Sequence, residues 1–233
     1  MKGEAGRVAM CHLLRSSGSV DLMTNPHLEQ PVTDYGEPVD RAETAVILVH
    51  GRGQSADWMH DHVVRRFGRP DLAWRAPTAD GASWYPERFL VPVELNEPRL
   101  SDALACLDAL SERLQRQGVP YASQVLMGFS QGACLCSEFV WRSRRRYRAL
   151  IAFTGALIGP SELQRAPAAC DFSGMPALFS TWEHDPHVPV DYVRRSAGLF
   201  EAAGAAVTLL VGPATEHGIR DAEIDYARRT LGT

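Results

Sequence analysis

The chain has 233 residues, 45% of them hydrophobic and 22% charged, a composition that excludes disorder, collagen and coiled coil. A chain of this length buries roughly 70% of its unfolded surface, enough for a core and a pocket without covalent staples. Twenty-four Lys and Arg against 28 Asp and Glu leave a formal charge of −4, so no basic field supports a nucleic-acid partner.

Residues 1–22 carry no clear period, and Met23-Thr24-Asn25-Pro26 reads as the natural start of the ordered chain. The leading segment is expected to be disordered or to come from an upstream start, and residues 23–233 to form one domain. From there short apolar runs alternate with amphipathic stretches. The sequence predicts strands at Ala45–Val49, Leu72–Ala76, Gln124–Met127, Ala149–Phe153, Ala177–Thr181 and Val207–Val211. It predicts helices at Ala56–Phe67, Arg99–Gln117, Gly132–Trp141, Val190–Ala203 and Ala222–Leu231. That order is the pattern of an α/β fold, a mostly parallel central sheet flanked by helices. Two connections, 77–98 and 154–176, are long enough to line a site, and neither leaves room for a large cap domain. The basic run Arg142–Arg148 follows a helical stretch and is expected to be a solvated helix end.

Cys11, Cys106, Cys134, Cys136 and Cys170 are odd in number and scattered, with no zinc-like spacing. No metal is expected, and the pattern suits a reducing compartment. No apolar run reaches the roughly eighteen residues of a membrane span, and Met1-Lys2-Gly3-Glu4 is not followed by a signal-peptide core. A cytoplasmic location is expected.

The strongest chemical signal is Gly128-Phe129-Ser130-Gln131-Gly132, a Gly-x-Ser-x-Gly set between an apolar strand and an amphipathic helix. Such a turn strains the serine backbone, and small residues two positions to either side let neighbouring elements approach closely enough to expose its oxygen. A serine hydroxyl needs a histidine to take its proton and a carboxylate to orient that histidine. In chain order after Ser130 the acid is Asp185, held between Pro186 and the residues after the Ala177–Thr181 strand, with Glu183 and Asp191 as competitors. The base is His217, in the loop after the last strand. His184 and His187 would have to fold back on the neighbouring acid, although His187 is a candidate substrate contact. An oxyanion hole needs backbone donors, each worth roughly 3 to 4 kcal/mol. Gln131 supplies one N–H at the helix start and Arg52, in His50-Gly51-Arg52-Gly53, the other. His50 is expected to brace that loop. A second role for Arg52, its side chain turned into the site to meet an acidic substrate, stays open. Trp84, Tyr85, Phe89 and Trp182 can close a small pocket, with core packing as the alternative for each.

Taken together, His50-Gly51-Arg52-Gly53, Gly128-Phe129-Ser130-Gln131-Gly132-Ala133, Asp185-Pro186-His187-Val188-Pro189 and His217-Gly218-Ile219 resemble the phospholipase/carboxylesterase family of α/β-hydrolases, which includes the acyl-protein thioesterases. The resemblance runs from about Ala45 onward. Ser83-Trp84-Tyr85-Pro86 is similar to the aromatic loop that borders the pocket in the bacterial carboxylesterase branch. The resemblance implies a Ser130, Asp185, His217 triad acting on carboxylic esters or thioesters with no metal or organic cofactor, and it is compatible with a homodimer. The sequence departs from the family at Trp182-Glu183-His184, where a small residue is expected before the acid, and at Glu216-His217, where Gly-His is frequent. Both bear on the pocket mouth. Related dienelactone hydrolases carry cysteine where this chain has Ser130, and Cys134 and Cys136 are expected to pack their helix as buried thiols. The expected activity is a serine carboxylesterase for short acyl or small aryl esters. The alternatives are a thioesterase or lysophospholipase for longer chains, and a silent hydrolase fold that binds a small molecule or a protein.

Overall fold

The computed structural model describes residues 24–232; the expectation for residues 1–22 lies outside the described residues. The strands are β1 (Val32–Gly36), β2 (Ala45–Val49), β3 (Ala73–Pro77), β4 (Gln124–Phe129), β5 (Ala149–Phe153), β6 (Pro176–Trp182) and β7 (Ala206–Gly212). They form one sheet in the order β1-β3-β2-β4-β5-β6-β7, parallel throughout except that β1 runs antiparallel to β3. Five buried residues in a row make β2 a two-faced strand: Ile47 and Val49 enter one core while Val46 and Leu48 enter the other. β1 was not expected. Its Val-Thr-Asp-Tyr-Gly is half exposed on a sheet edge and so lacks an apolar run.

The helices are α1 (Ala56–Met59), α2 (Arg65–Phe67), α3 (Arg99–Arg116), α4 (Gln131–Arg142), α5 (Val190–Ala202) and α6 (Asp221–Thr230). The single helix expected over 56–67 is interrupted: a π-helical segment, His60–Val64, joins α1 to α2. The Ser55 hydroxyl caps α1 by accepting from the Trp58 N–H at 3.2 Å, and Gly68, with φ +61°, closes α2. Leu100, Leu107, Leu110 and Leu114 bury one face of α3. α4 is buried along Gln131–Trp141, as suits a helix wedged against the sheet centre. The cores lie on opposite faces, one built around Leu107, Leu135, Phe179 and Phe200, the other around Phe67, Trp74, Met127 and Ile224.

The long connections build no cap. Residues 78–98 hold two 3-10 turns, Asp80–Ala82 and Val93–Asn96, and the loop after β5 is irregular. The basic run does more than end α4. Arg145 pairs with Asp108 and Glu112 of α3, and Arg148 donates to the Leu231 carbonyl at 2.9 Å, so these cations staple elements together. Among the described residues no helix is long and apolar enough to cross a membrane.

Candidate active site

β4 ends in a turn with no room for a side chain two positions to either side of Ser130. A Cβ on Gly128 would lie 2.5 Å from the Gly132 carbonyl group, and one on Gly132 would lie 2.2 Å from the Val49 oxygen. Between them Ser130 sits at φ +53°, ψ −119°, a strained conformation worth roughly 1 to 3 kcal/mol. The Ser130 N–H is tied to the Phe153 carbonyl at 2.9 Å, which fixes the turn to β5. The hydroxyl therefore stands at the edge where the parallel strands end, the place where such sheets put their ligands.

Asp185 follows β6 and His217 follows β7, and the structure brings both to Ser130. His217 Nε2 lies 2.9 Å from the Ser130 Oγ, and His217 Nδ1 lies 2.8 Å from Asp185 Oδ2. Asp185 Oδ1 accepts the main-chain N–H groups of His187 at 2.8 Å and Val188 at 2.7 Å. Burial pushes the Asp185 carboxyl pKa up, but hydrogen bonds from His217 and from those two amides outweigh it and hold the pKa below its ordinary value. The competitors are engaged elsewhere: Glu183 and Asp191 pair with Arg194 at 3.1 and 3.3 Å, and His184 is exposed.

Gln131 opens α4, so its N–H precedes any acceptor within the helix. In the loop after β2 the Gly51 N–H donates to Gln54 Oε1 and the Gly53 N–H to the Ala82 carbonyl, while the Arg52 N–H meets no acceptor among the described residues. Both Arg52 and Gln131 border the cavity that holds Ser130. A hydroxyl, an imidazole and a carboxylate linked in series, with two amides free of acceptors beside one cavity, are groups that can together support acyl transfer.

A sequence model of the phospholipase/carboxylesterase family matches residues 34–232. The chain belongs to that family. It is a carboxylic ester hydrolase of the α/β-hydrolase fold. A phospholipase/carboxylesterase from Dyadobacter fermentans is 38% identical, superposes with a TM-score of 0.80, and matches over 87% of this chain and 96% of its own. Esterase PE8 (24% identity, TM-score 0.69, 87% and 96% coverage) and SOBER1 of Arabidopsis thaliana (20%, 0.67, 82% and 98%) share the fold. No curated protein matches the chain.

The cavity measures about 280 Å³. Of the residues expected to form its wall, Tyr85 and His187 do so, together with Phe89. Trp84 and Trp182 do not. Trp84 is fully buried: its main-chain N–H donates to Gln131 Oε1 at 3.0 Å and its indole N–H to the His50 carbonyl at 2.9 Å, so the ring turns into the core behind the wall. The Trp182 indole donates to the Gly218 carbonyl at 3.2 Å and stacks under the Arg220 guanidinium at 4.8 Å. It supports the loop that carries His217. The Thr154 hydroxyl donates to the same Gly218 carbonyl, from a backbone at φ +52°. The Arg52 side chain also resolves: its guanidinium clasps the carbonyls of Tyr85 at 2.9 Å, Pro86 at 2.5 Å and Glu87 at 2.6 Å, and so holds the aromatic loop against the rim.

Three supporting groups escaped the sequence reading. Gln131 Nε2 donates to the Tyr85 carbonyl at 2.8 Å, so the first residue of α4 also anchors the pocket wall. Arg88 lines the cavity and donates to the His187 carbonyl at 3.1 Å. Glu138, buried on α4, accepts from Arg142 at 2.6 Å, Arg165 at 2.9 Å and the Ile158 N–H at 3.0 Å, pinning the loop after β5. A lone carboxylate inside the apolar run of α4 was the available signal. Cys134, on the same helix, has its thiol pushed up to about 12 by burial, which makes it a packing group and not a nucleophile.

His50 braces the loop after β2 through both ring nitrogens. Its Nδ1–H donates to the Gly51 carbonyl at 2.7 Å while Nε2 accepts the Ala79 N–H at 3.0 Å, an arrangement that needs the neutral ring. Burial lowers its pKa. Below the unfolded value near pH 6.5 the unfolded chain therefore takes up a proton that the folded ring refuses, and stability falls with pH. Above that value His50 contributes no slope. Thermal midpoints measured on either side of it should show the added acid-side loss in the wild type and less of it in His50→Gln. Equal slopes in the two proteins would contradict this role.

Proposed function

We propose that the protein is a serine carboxylesterase for short acyl or small aryl esters. The observation that carries this reading is the pair of hydrogen bonds, 2.9 and 2.8 Å, that link Ser130, His217 and Asp185 in series. With Nδ1–H donated to Asp185, Nε2 is left as the acceptor for the Ser130 proton. Ser130 Oγ then attacks the ester carbonyl, the N–H groups of Arg52 and Gln131 take the oxyanion, and His217 returns the proton to the leaving alcohol. Water, deprotonated by the same histidine, releases the acyl group from Ser130.

The size preference rests on the cavity. A volume of about 280 Å³ is at the small end of ligand sites, which run from roughly 300 to 1,000 Å³. Phe89, Tyr85 and Val188 give it apolar walls. Hydrolysis of a p-nitrophenyl ester series from acetyl to palmitoyl tests the reading, with a fluorophosphonate probe run in parallel. Turnover should peak at the short esters, and peptide mapping should find the probe on Ser130 and no label in Ser130→Ala. An optimum at long chains would move the assignment to a thioesterase or lysophospholipase. Neither turnover nor labelling would leave a silent binding protein.

A further inference from the structure

The permanently charged side chains that border the cavity in front of Ser130 are of one sign. The lining includes Arg52 and Arg88, and no aspartate or glutamate among the described residues. The hydrogen-bond partners of both guanidinium groups are main-chain carbonyls, which leave the charge uncompensated. Several other arginines of the fold do meet carboxylates, as at Arg99–Asp80, Arg145–Asp108 and Arg165–Glu138, whereas neither Arg52 nor Arg88 has a carboxylate partner among the described residues. Asp185, the triad acid beside the cavity, has a side chain with no exposure and is occupied by His217 and two amides.

We propose that this site selects esters that carry a carboxylate close to the scissile carbonyl, and that Arg88 is the specificity-determining residue. The inference rests on the reading of Ser130 as the nucleophile. The two arginines are not equivalent. Arg52 spends its guanidinium on three carbonyls of the 85–87 loop, which makes it a clamp. Arg88 uses one donor, to His187, and stands exposed on the rim between the aromatic loop and the acid loop. A guanidinium has five donors in a planar fork, so Arg88 keeps an edge free for bidentate contact with a carboxylate. A cleft lined by one sign of charge also concentrates ligands of the opposite sign before contact. Arg52 adds its charge to that field without leaving its loop.

The test compares substrates matched in shape and unlike in charge. On the acyl side, monoethyl succinate and ethyl butyrate share their alcohol and their chain length; on the alcohol side, 4-acetoxybenzoate and 4-methylphenyl acetate share their acyl group. The wild type should favour the anion of at least one pair by about tenfold in kcat/KM, mainly through KM, and the preference should shrink at high salt. Whichever pair responds names the side that bears the carboxylate. Arg88→Gln, which can keep the bond to His187, should abolish the preference, and Arg88→Lys should restore part of it. A purely structural Arg88 would move the neutral and anionic esters together, leaving their ratio unchanged, and would overturn the proposal. So would a wild type with no preference in either pair, while Ser130-dependent turnover of the neutral esters would leave the esterase reading intact. Loss of both together would show as no turnover of any ester.

Discussion

In Asp185→Asn, kcat on a short neutral ester is expected to fall by roughly 10⁴ with the fold retained. The direction follows from where each oxygen of Asp185 is used. Oδ1 accepts the amides of His187 and Val188 and makes only the longer of the two contacts to His217 Nδ1, at 3.1 Å against 2.8 Å for Oδ2, so the oxygen of the new carboxamide must occupy that position. Its NH₂ group then replaces Oδ2 and donates to His217 Nδ1, where the wild type accepts. The imidazole is forced into the tautomer with its proton on Nε2, and Nε2 can no longer take the proton of Ser130. The substitution is nearly isosteric and keeps the two loop bonds, so circular dichroism and the thermal midpoint should change little at neutral pH. Their acid dependence should change. The native carboxyl has a lowered pKa, so its stabilising share is present above the ordinary carboxylate range, near pH 4, and is lost as pH falls through the lowered value. The carboxamide of the variant does not titrate and has no such share to lose. A variant that keeps more than about a tenth of the wild-type kcat would remove Asp185 from the catalytic machinery.

What the sequence disclosed and what it concealed divide along physical lines. Runs such as Ala-Val-Ile-Leu-Val in β2 were readable because a parallel strand covered on both faces needs apolar residues at every position. The turn at Ser130 was readable because its constraints are local: two glycines and a serine within five residues. Its distance from Asp185 and His217 was not local. It was approached through the order of strands that such a sheet imposes on its loops. Trp84 and Trp182 were misplaced for the opposite reason. The side of a loop to which an indole turns depends on partners far along the chain, here the carbonyls of His50 and Gly218 and the cation of Arg220. Arg88 had no local mark at all, since an arginine in a surface loop reads as solvated until the neighbouring wall is known. The same holds for β1, whose pairing with β3 is visible only from the register of both strands.

Gly132→Ala is expected to destabilise the fold by about 3 kcal/mol or more and to remove esterase activity with it. The added Cβ would lie 2.2 Å from the Val49 oxygen and 2.5 Å from the His50 oxygen. Both atoms belong to main chain, at the end of the central strand β2 and the residue just after it, so neither can yield as a flexible side chain would. Relief would require α4 to move away from β2, and that movement would carry Ser130 and the Gln131 amide out of line with the Arg52 loop. Urea unfolding and hydrolysis of a short ester should therefore fail together. Gly198 isolates the effect of space from that of residue type. It lies on the exposed side of α5 with open space around the position of a Cβ. Gly198→Ala relieves the helix of its most flexible residue and should stabilise by about 1 kcal/mol, raising the thermal midpoint by roughly 2 to 4 °C. If the two variants lost stability alike, the cost would belong to replacing glycine as such. Opposite signs would place it in the closest contact between α4 and β2, where the fold positions the serine.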